Sequence, residues 1–275
     1  ADFVALKKCT YKNGRLDQAC PQVGALQLRL QTRQRTAKLK EKMVTTLANL
    51  LESKTESTRL MAAASAEPHL GEVELRRALQ RAWREEETPA IRALILRQLC
   101  RAPGANGGSL ARGALASKVE QPAVVRAAAA SCLGLARGKD RALAGQALRK
   151  VLGDKGDPDH AVRGDACEAL GRLDDEAAVP ALAAQLGTPE VAWRCATAMA
   201  ALGGEKAYEA LLSHTRSRVE RGPLPAQQLR ALASFSGQPF ADQEALKKVL
   251  KLAAQGKDQK EETRAVAQAE LARLK

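Results

Sequence analysis

Six cysteines carry the most distinctive chemistry in this chain of 275 residues. A thiol can be oxidised to a disulfide, ligate a soft metal or act as a nucleophile, and spacing discriminates among these roles. Cys9 and Cys20 flank Asn13-Gly14, a dipeptide that readily takes positive φ, so a short loop closed by a disulfide is expected there. No CxxC pair is present, and His69, His160 and His214 are scattered, which argues against a metal site. No cysteine stands in a nucleophile motif, although a Cys–His pairing through space stays open. Glycine-rich phosphate loops, HExxH and GxSxG are all missing. The acidic groups Asp174-Asp175 and Glu85-Glu86-Glu87 fall in turns, where solvated helix capping is the expected duty. The reading is of a protein that is not an enzyme and needs neither cofactor nor metal.

The elements that must position Cys100, Cys132, Cys167 and Cys195 follow from apolar periodicity. From Val162 to Leu186, the residues Val162, Ala166, Ala169, Leu170 and Leu173 make one helical stripe. Asp165, Glu168 and Arg172 occupy the other side, with Glu168 four residues ahead of Arg172. Asp174-Asp175-Glu176 breaks the pattern, and Val179, Leu182 and Leu186 start a second helix, with Pro180 in its first turn. Two such helices cannot bury their apolar faces alone, so they require copies on either side.

Arginine marks the copies. Arg59, Arg92, Arg126, Arg163, Arg194, Arg230 and Arg264 open similar first (A) helices at steps of 33, 34, 37, 31, 36 and 34 residues. A period of that size with a helix pair per unit predicts an α-solenoid. Second (B) helices are expected at 71–86, 110–119, 141–152, 177–186, 206–219 and 242–254, and 261–275 as a lone cap. Upstream, 21–51 reads as one long helix or as two with a bend near Thr36. The loop 102–109 is the expected point of flexibility. Residues 1–20 form an N-terminal extension and 21–275 a single solenoid domain. Cys100 with Cys132, and Cys167 with Cys195, then fall on neighbouring A helices, within reach of a disulfide. The bland alternative is that these four are small buried apolar residues.

The units resemble bacterial HEAT repeats of the phycobilisome-lyase-like kind. Val162-Arg163, Ala166, Ala169-Leu170-Gly171, the acidic turn and Ala178-Val179-Pro180-Ala181-Leu182 carry the resemblance, which runs from about Pro89 to Thr215. It implies an all-α, right-handed α-solenoid of about seven HEAT-like hairpins plus a C-terminal capping helix. It also implies A helices on the convex side and B helices on the concave, ligand-facing side. Such arrays serve as scaffolds, lyase subunits, glycosylases and lipoproteins, so the resemblance does not select an activity. A glycosylase groove needs aromatic residues, and Trp83 and Trp193 fall on different helix types.

Composition narrows the partners. Formal net charge is +13, while aromatic residues are 3% of the chain. The excess peaks in residues 1–60, with 12 basic and 5 acidic groups, and inverts in 161–204, with 3 and 6. The densest basic run is Arg29 to Lys42, which reads as a solvated face or as contact with an acidic partner. On the B helices, Arg77, Arg81, Arg84, Arg149, Lys150, Lys247 and Lys251 are the candidate binding surface. No stretch reaches the length of a membrane span. The leading reading is a non-enzymatic protein-interaction scaffold in the periplasm or outside the cell, with an acidic protein partner. The alternative is a cytoplasmic array gripping a nucleic-acid backbone, and a lyase- or glycosylase-type enzyme ranks third. Paired cysteines predict no free thiol when the denatured, unreduced chain is titrated, whereas six free thiols would remove the argument for an oxidising compartment.

Overall fold

The computed structural model describes residues 11–12, 15–16, 21–117, 121–153 and 155–274. The chain divides into two compact units, 1–78 and 79–275, with the division inside one helix. The first unit opens with two short antiparallel strands, β1 (Tyr11–Lys12) and β2 (Arg15–Leu16), in which Tyr11 faces Leu16 and Lys12 faces Arg15. That pairing fits the Asn-Gly turn expected from the sequence. The Cys9–Cys20 bridge lies outside the described residues.

Helix α1 (Pro21–Leu51) is continuous, and α2 (Glu56–Ala64) packs against it. Thr32 and Thr36 do not break α1, because each hydroxyl donates to the carbonyl four residues back, at 2.8 and 2.9 Å. Val44, Leu47, Ala48 and Leu51 of α1 are buried, as are Ala62 and Ala63 of α2. A 3-10 turn (Glu67–His69) leads to α3 (Val73–Glu85), in which the division falls.

In the second unit, A helices alternate with B helices. The A helices are α4 (Pro89–Arg101), α6 (Ala123–Leu133), α8 (His160–Leu173), α10 (Pro189–Leu202), α12 (Ala226–Ala233) and α14 (Glu261–Arg273). The B helices are α5 (Gly107–Ala116), α7 (Asp140–Leu152), α9 (Val179–Gln185), α11 (Glu205–Arg221) and α13 (Gln243–Gln255). Each A helix packs on the next A helix and each B helix on the next B helix, so the unit is a two-layered all-α solenoid. Among the described residues the chain makes six hairpins, from α2–α3 to α12–α13, followed by α14. The uninterrupted α1 stands where two helices would have made a seventh.

Small residues allow the A layer to close. Ala127 to Ala130 of α6, Ala166 and Ala169 of α8, and Ala196 and Ala198 of α10 are buried. A Cβ added to Gly134 would lie 2.9 Å from the Cα of Ala169, and one added to Gly171 would lie 3.1 Å from that of Ala198, so larger residues there would push the layers apart. Two disulfides cross the same contact. Cys100 joins α4 to Cys132 of α6 with a Cα separation of 5.8 Å, and Cys167 joins α8 to Cys195 of α10 at 4.9 Å. The small-apolar alternative for these four residues is thereby set aside.

Three marks of the arginine ruler, Arg59, Arg92 and Arg126, share a physical cause. The guanidinium of Arg92 donates to the carbonyl of Glu86 at 2.9 Å, and that of Arg59 to Ser53 at 3.0 Å, tying each A helix to the turn before it. Arg126 donates to Gln121 at 2.6 Å and also makes two bonds, at 2.6 and 2.8 Å, to the carboxylate of Asp157 before the next A helix. Both side chains of this pair are buried, and the bonded carboxylate raises the pKa of Arg126. On the partly exposed edge of the layer, Asp165 accepts from Ser131 and from Arg194, linking α6, α8 and α10. Glu168 binds Arg194 at 3.2 Å and its expected helical partner Arg172 only at 3.9 Å.

The turns depart from the sequence reading in one respect. Asp174 takes the left-handed conformation at the end of α8 (φ 53°) and is exposed, with its carbonyl and carboxylate accepting from Arg141 of α7 at 2.8 and 3.2 Å. Asp175 instead reaches the guanidinium of Arg149 on α7, and Glu86 is buried with its carboxylate accepting from the Thr88 amide at 2.9 Å. Neither is freely solvated, since Arg149 takes up the Asp175 carboxylate and Glu86 is buried, while Asp174, Glu85 and Glu87 beside them are exposed. The Arg126–Asp157 pair makes a test of the hairpin junction. Asp157→Ala strands a buried cation and should lose about 3–5 kcal/mol in denaturant unfolding, whereas Arg126→Met with Asp157→Leu should recover most of that loss.

Candidate functional site

A groove of the B layer opens between α11 and α13. On α11, Glu209, Leu212, Ser213, Arg216, Ser217, Glu220 and Arg221 recur at helical spacing, so they line one face. Asp242, Glu244, Ala245, Lys247, Lys248 and Lys251 provide the other wall, and the cavity measures about 970 Å³. Two devices fix the walls. The Tyr208 hydroxyl donates to the carbonyl of Asp242 at 2.9 Å, holding the start of α11 to the start of α13. Asp242 also caps α13, its carboxylate accepting from the amides of Glu244 and Ala245 at 3.0 Å each. Tyr208, Phe235 and Phe240 pack as an aromatic cluster with centroids 5.7 to 6.3 Å apart. Burial beneath this cluster, and the charge of Asp242, raise the pKa of the Tyr208 phenol.

Charge is graded along the groove. Glu209, Asp242 and Glu244 stand at the helix starts, and Arg221 and Lys251 lie towards the ends, the order that helix dipoles favour. Arg216 pairs with Glu220 at 4.0 Å and Lys247 with Glu244 at 3.3 Å. Among the described residues, Arg221, Lys248 and Lys251 lack an acidic partner. Leu212 and Ala245 supply apolar surface between these cations.

The seven basic candidates from the sequence are distributed over α3, α7 and α13. Lys247 and Lys251 line the groove. Lys150 is exposed on α7, two B helices before α11, while Arg149 beside it is half-buried and engaged by Asp175. Arg77, Arg81 and Arg84 are exposed on α3, with Arg77 before the division between the units and the other two after it. Sequence spacing marked single helices and did not reveal Arg216, Arg221 or Lys248 as neighbours of Lys251. The tryptophans occupy no common site: Trp83 is buried beneath the Arg92 guanidinium, 4.5 Å from its ring centre, and Trp193 lies on α10. Among the described residues no three His, Cys, Asp or Glu side chains cluster as a metal site would, and no helix is long and apolar enough to cross a membrane.

The family model for HEAT repeats matches residues 113–203 and 146–222. No curated protein matches the sequence significantly. Among solved structures, the chain is similar to the complex of CpcE and CpcF of phycocyanin lyase from Nostoc sp. PCC7120, with a TM-score of 0.48 and 19% identity, covering 84% of this chain and 94% of that one.

His214, on α11 beside the groove residue Ser213, reports on the packing of this helix. Burial disfavours its imidazolium and nearby Arg218 repels it, so its pKa is lowered in the folded protein. The unfolded chain takes up this proton first, so stability present above about pH 6.5 is lost as pH falls through the folded-state value. Thermal unfolding between pH 7.5 and 5 should show this loss, and His214→Gln should reduce the slope.

Proposed function

We propose that this protein is a non-enzymatic interaction scaffold that holds an acidic segment of a partner protein on the B-helix face of its solenoid. The observation carrying this reading is the α11–α13 groove, where unpaired Arg221, Lys248 and Lys251 stand beside apolar Leu212. A carboxylate-bearing chain lying there gains charge-assisted hydrogen bonds from the basic end and avoids Glu209 and Glu244 at the other. The charge gradient therefore also sets the direction of the bound segment. Support for the scaffold role comes from the HEAT repeats and from the two disulfides, which fix neighbouring A helices and keep the surface preorganised. The same disulfides favour an oxidising compartment, periplasmic or extracellular.

Fluorescence polarisation with a labelled Asp/Glu-rich peptide of about 12 residues, compared with a DNA duplex of equal charge, tests the reading. The peptide should bind and the combined variant Arg221→Glu, Lys248→Glu, Lys251→Glu should weaken it at least about tenfold. Unchanged peptide affinity in that variant, or tighter binding of the duplex, would overturn it.

A further inference from the structure

The first unit carries a separate surface that the groove does not use. On α1, Leu28, Leu39, Met43 and Leu50 are 66%, 63%, 52% and 38% exposed. At 3.6 residues per turn these four, Thr32 and the exposed Thr46 fall within an arc of about 60°, so two of six seam positions are threonine, and the seam runs roughly 33 Å. Val44, Leu47, Ala48 and Leu51, which are buried, centre about 120° away around the helix, so the seam is not the face that packs on α2. The Thr32 hydroxyl donates to the Leu28 carbonyl at 2.8 Å, which satisfies its one donor within the helix. Leu60 and Met61 on α2 add exposed apolar surface in the same unit. Arg35 and Lys42 border the seam on one side. Lys40 borders the other and is engaged by Glu72 at 2.5 Å. Within α1 the single carboxylate, Glu41, lies almost opposite the seam.

We propose that α1 is a docking helix whose seam from Leu28 to Leu50 pairs with one acidic amphipathic helix of a partner protein. Three features select this occupant. The seam is as narrow as a coiled-coil stripe, whereas a helix lying in a lipid surface presents a broader apolar face. No aromatic residue stands on α1 to anchor it in a headgroup layer. Its flanks are cationic, so a second copy would set like charges against each other, while carboxylates flanking a partner's seam would meet Arg35 and Lys42. The pairing buries leucine and methionine that are otherwise left in water, and the charges fix the choice of partner.

The probe is a synthetic helix of about 28 residues with Leu at the two seam positions of each heptad and Glu at the flanking ones. Controls are a scrambled peptide of the same composition, phosphatidylcholine vesicles with about 30% phosphatidylglycerol, and the full chain alone in sedimentation velocity. The full chain should bind the ordered peptide, and Leu39→Glu with Met43→Glu should weaken it at least about tenfold. Both positions are exposed, and circular dichroism checks that the variant keeps its helix content. The groove variant carrying Arg221→Glu, Lys248→Glu and Lys251→Glu should bind the ordered peptide as the parent does, which separates this surface from the groove. Equal binding of the scrambled peptide would show charge alone and overturn the proposal. Unchanged binding after Leu39→Glu and Met43→Glu, vesicle binding without peptide binding, or a dimer dissolved by those two substitutions would each overturn it as well.

Discussion

The close approach of neighbouring A helices is the contact on which the second unit depends, and it is made possible by residues that are nearly side-chain-free. Alanines 127 to 130 fill the middle of α6, and Gly134 and Gly171 stand where a Cβ would strike the next helix. This is why a chain of 275 residues manages with 3% aromatic residues: thin layers leave little volume to fill. The same closeness brings Cys100 to Cys132 and Cys167 to Cys195. Loops of about 30 residues closed in this way contribute on the order of 3–4 kcal/mol each by the chain-entropy argument. Polar groups then use what room is left at the margins. Ser131, Asp165 and Arg194 bond across three helices, and Arg126 and Asp157 lock one hairpin to the next.

The B layer has a different economy of space. Its helices carry long charged side chains and leave grooves between them, of which the one between α11 and α13 is best defined. Rigidity in one layer and accessible charge in the other suit a protein that presents a fixed surface to another macromolecule. The first unit offers something else. Its long helix is packed along part of its length on α2, and a second apolar seam with basic margins stays in water. Two surfaces of unlike design, a polar groove and a narrow apolar seam, are thereby available to different partner segments.

Helix positions, hairpin order and the partners of Cys100, Cys132, Cys167 and Cys195 were legible in the sequence because each depends on local periodicity or on a repeat distance. Asp159 before α8, capping the amides of Ala161 and Val162, is a case where residue type alone is sufficient. The groove was only half legible. Lys247 and Lys251 were visible as a helical pair, but Arg216 and Arg221 belong to another hairpin, and nothing in their spacing states that α11 lies beside α13. The ion pair of Arg149 was hidden for the same reason, since Asp175 lies 26 residues away and meets it only across the packed layer.

By itself, then, the sequence determined the repeat, its helices and the neighbours that cysteine pairs would join, since the 3.6-residue period and the 30- to 40-residue unit are written along the chain. The tertiary structure decided which charges are spent on ion pairs and which are left unpaired. That outcome depends on what stands across the hairpin: Asp157 meets Arg126 there, and among the described residues no acidic group pairs with Lys248 or Lys251. Periodicity fixes the face of a helix, and only packing fixes what stands opposite it.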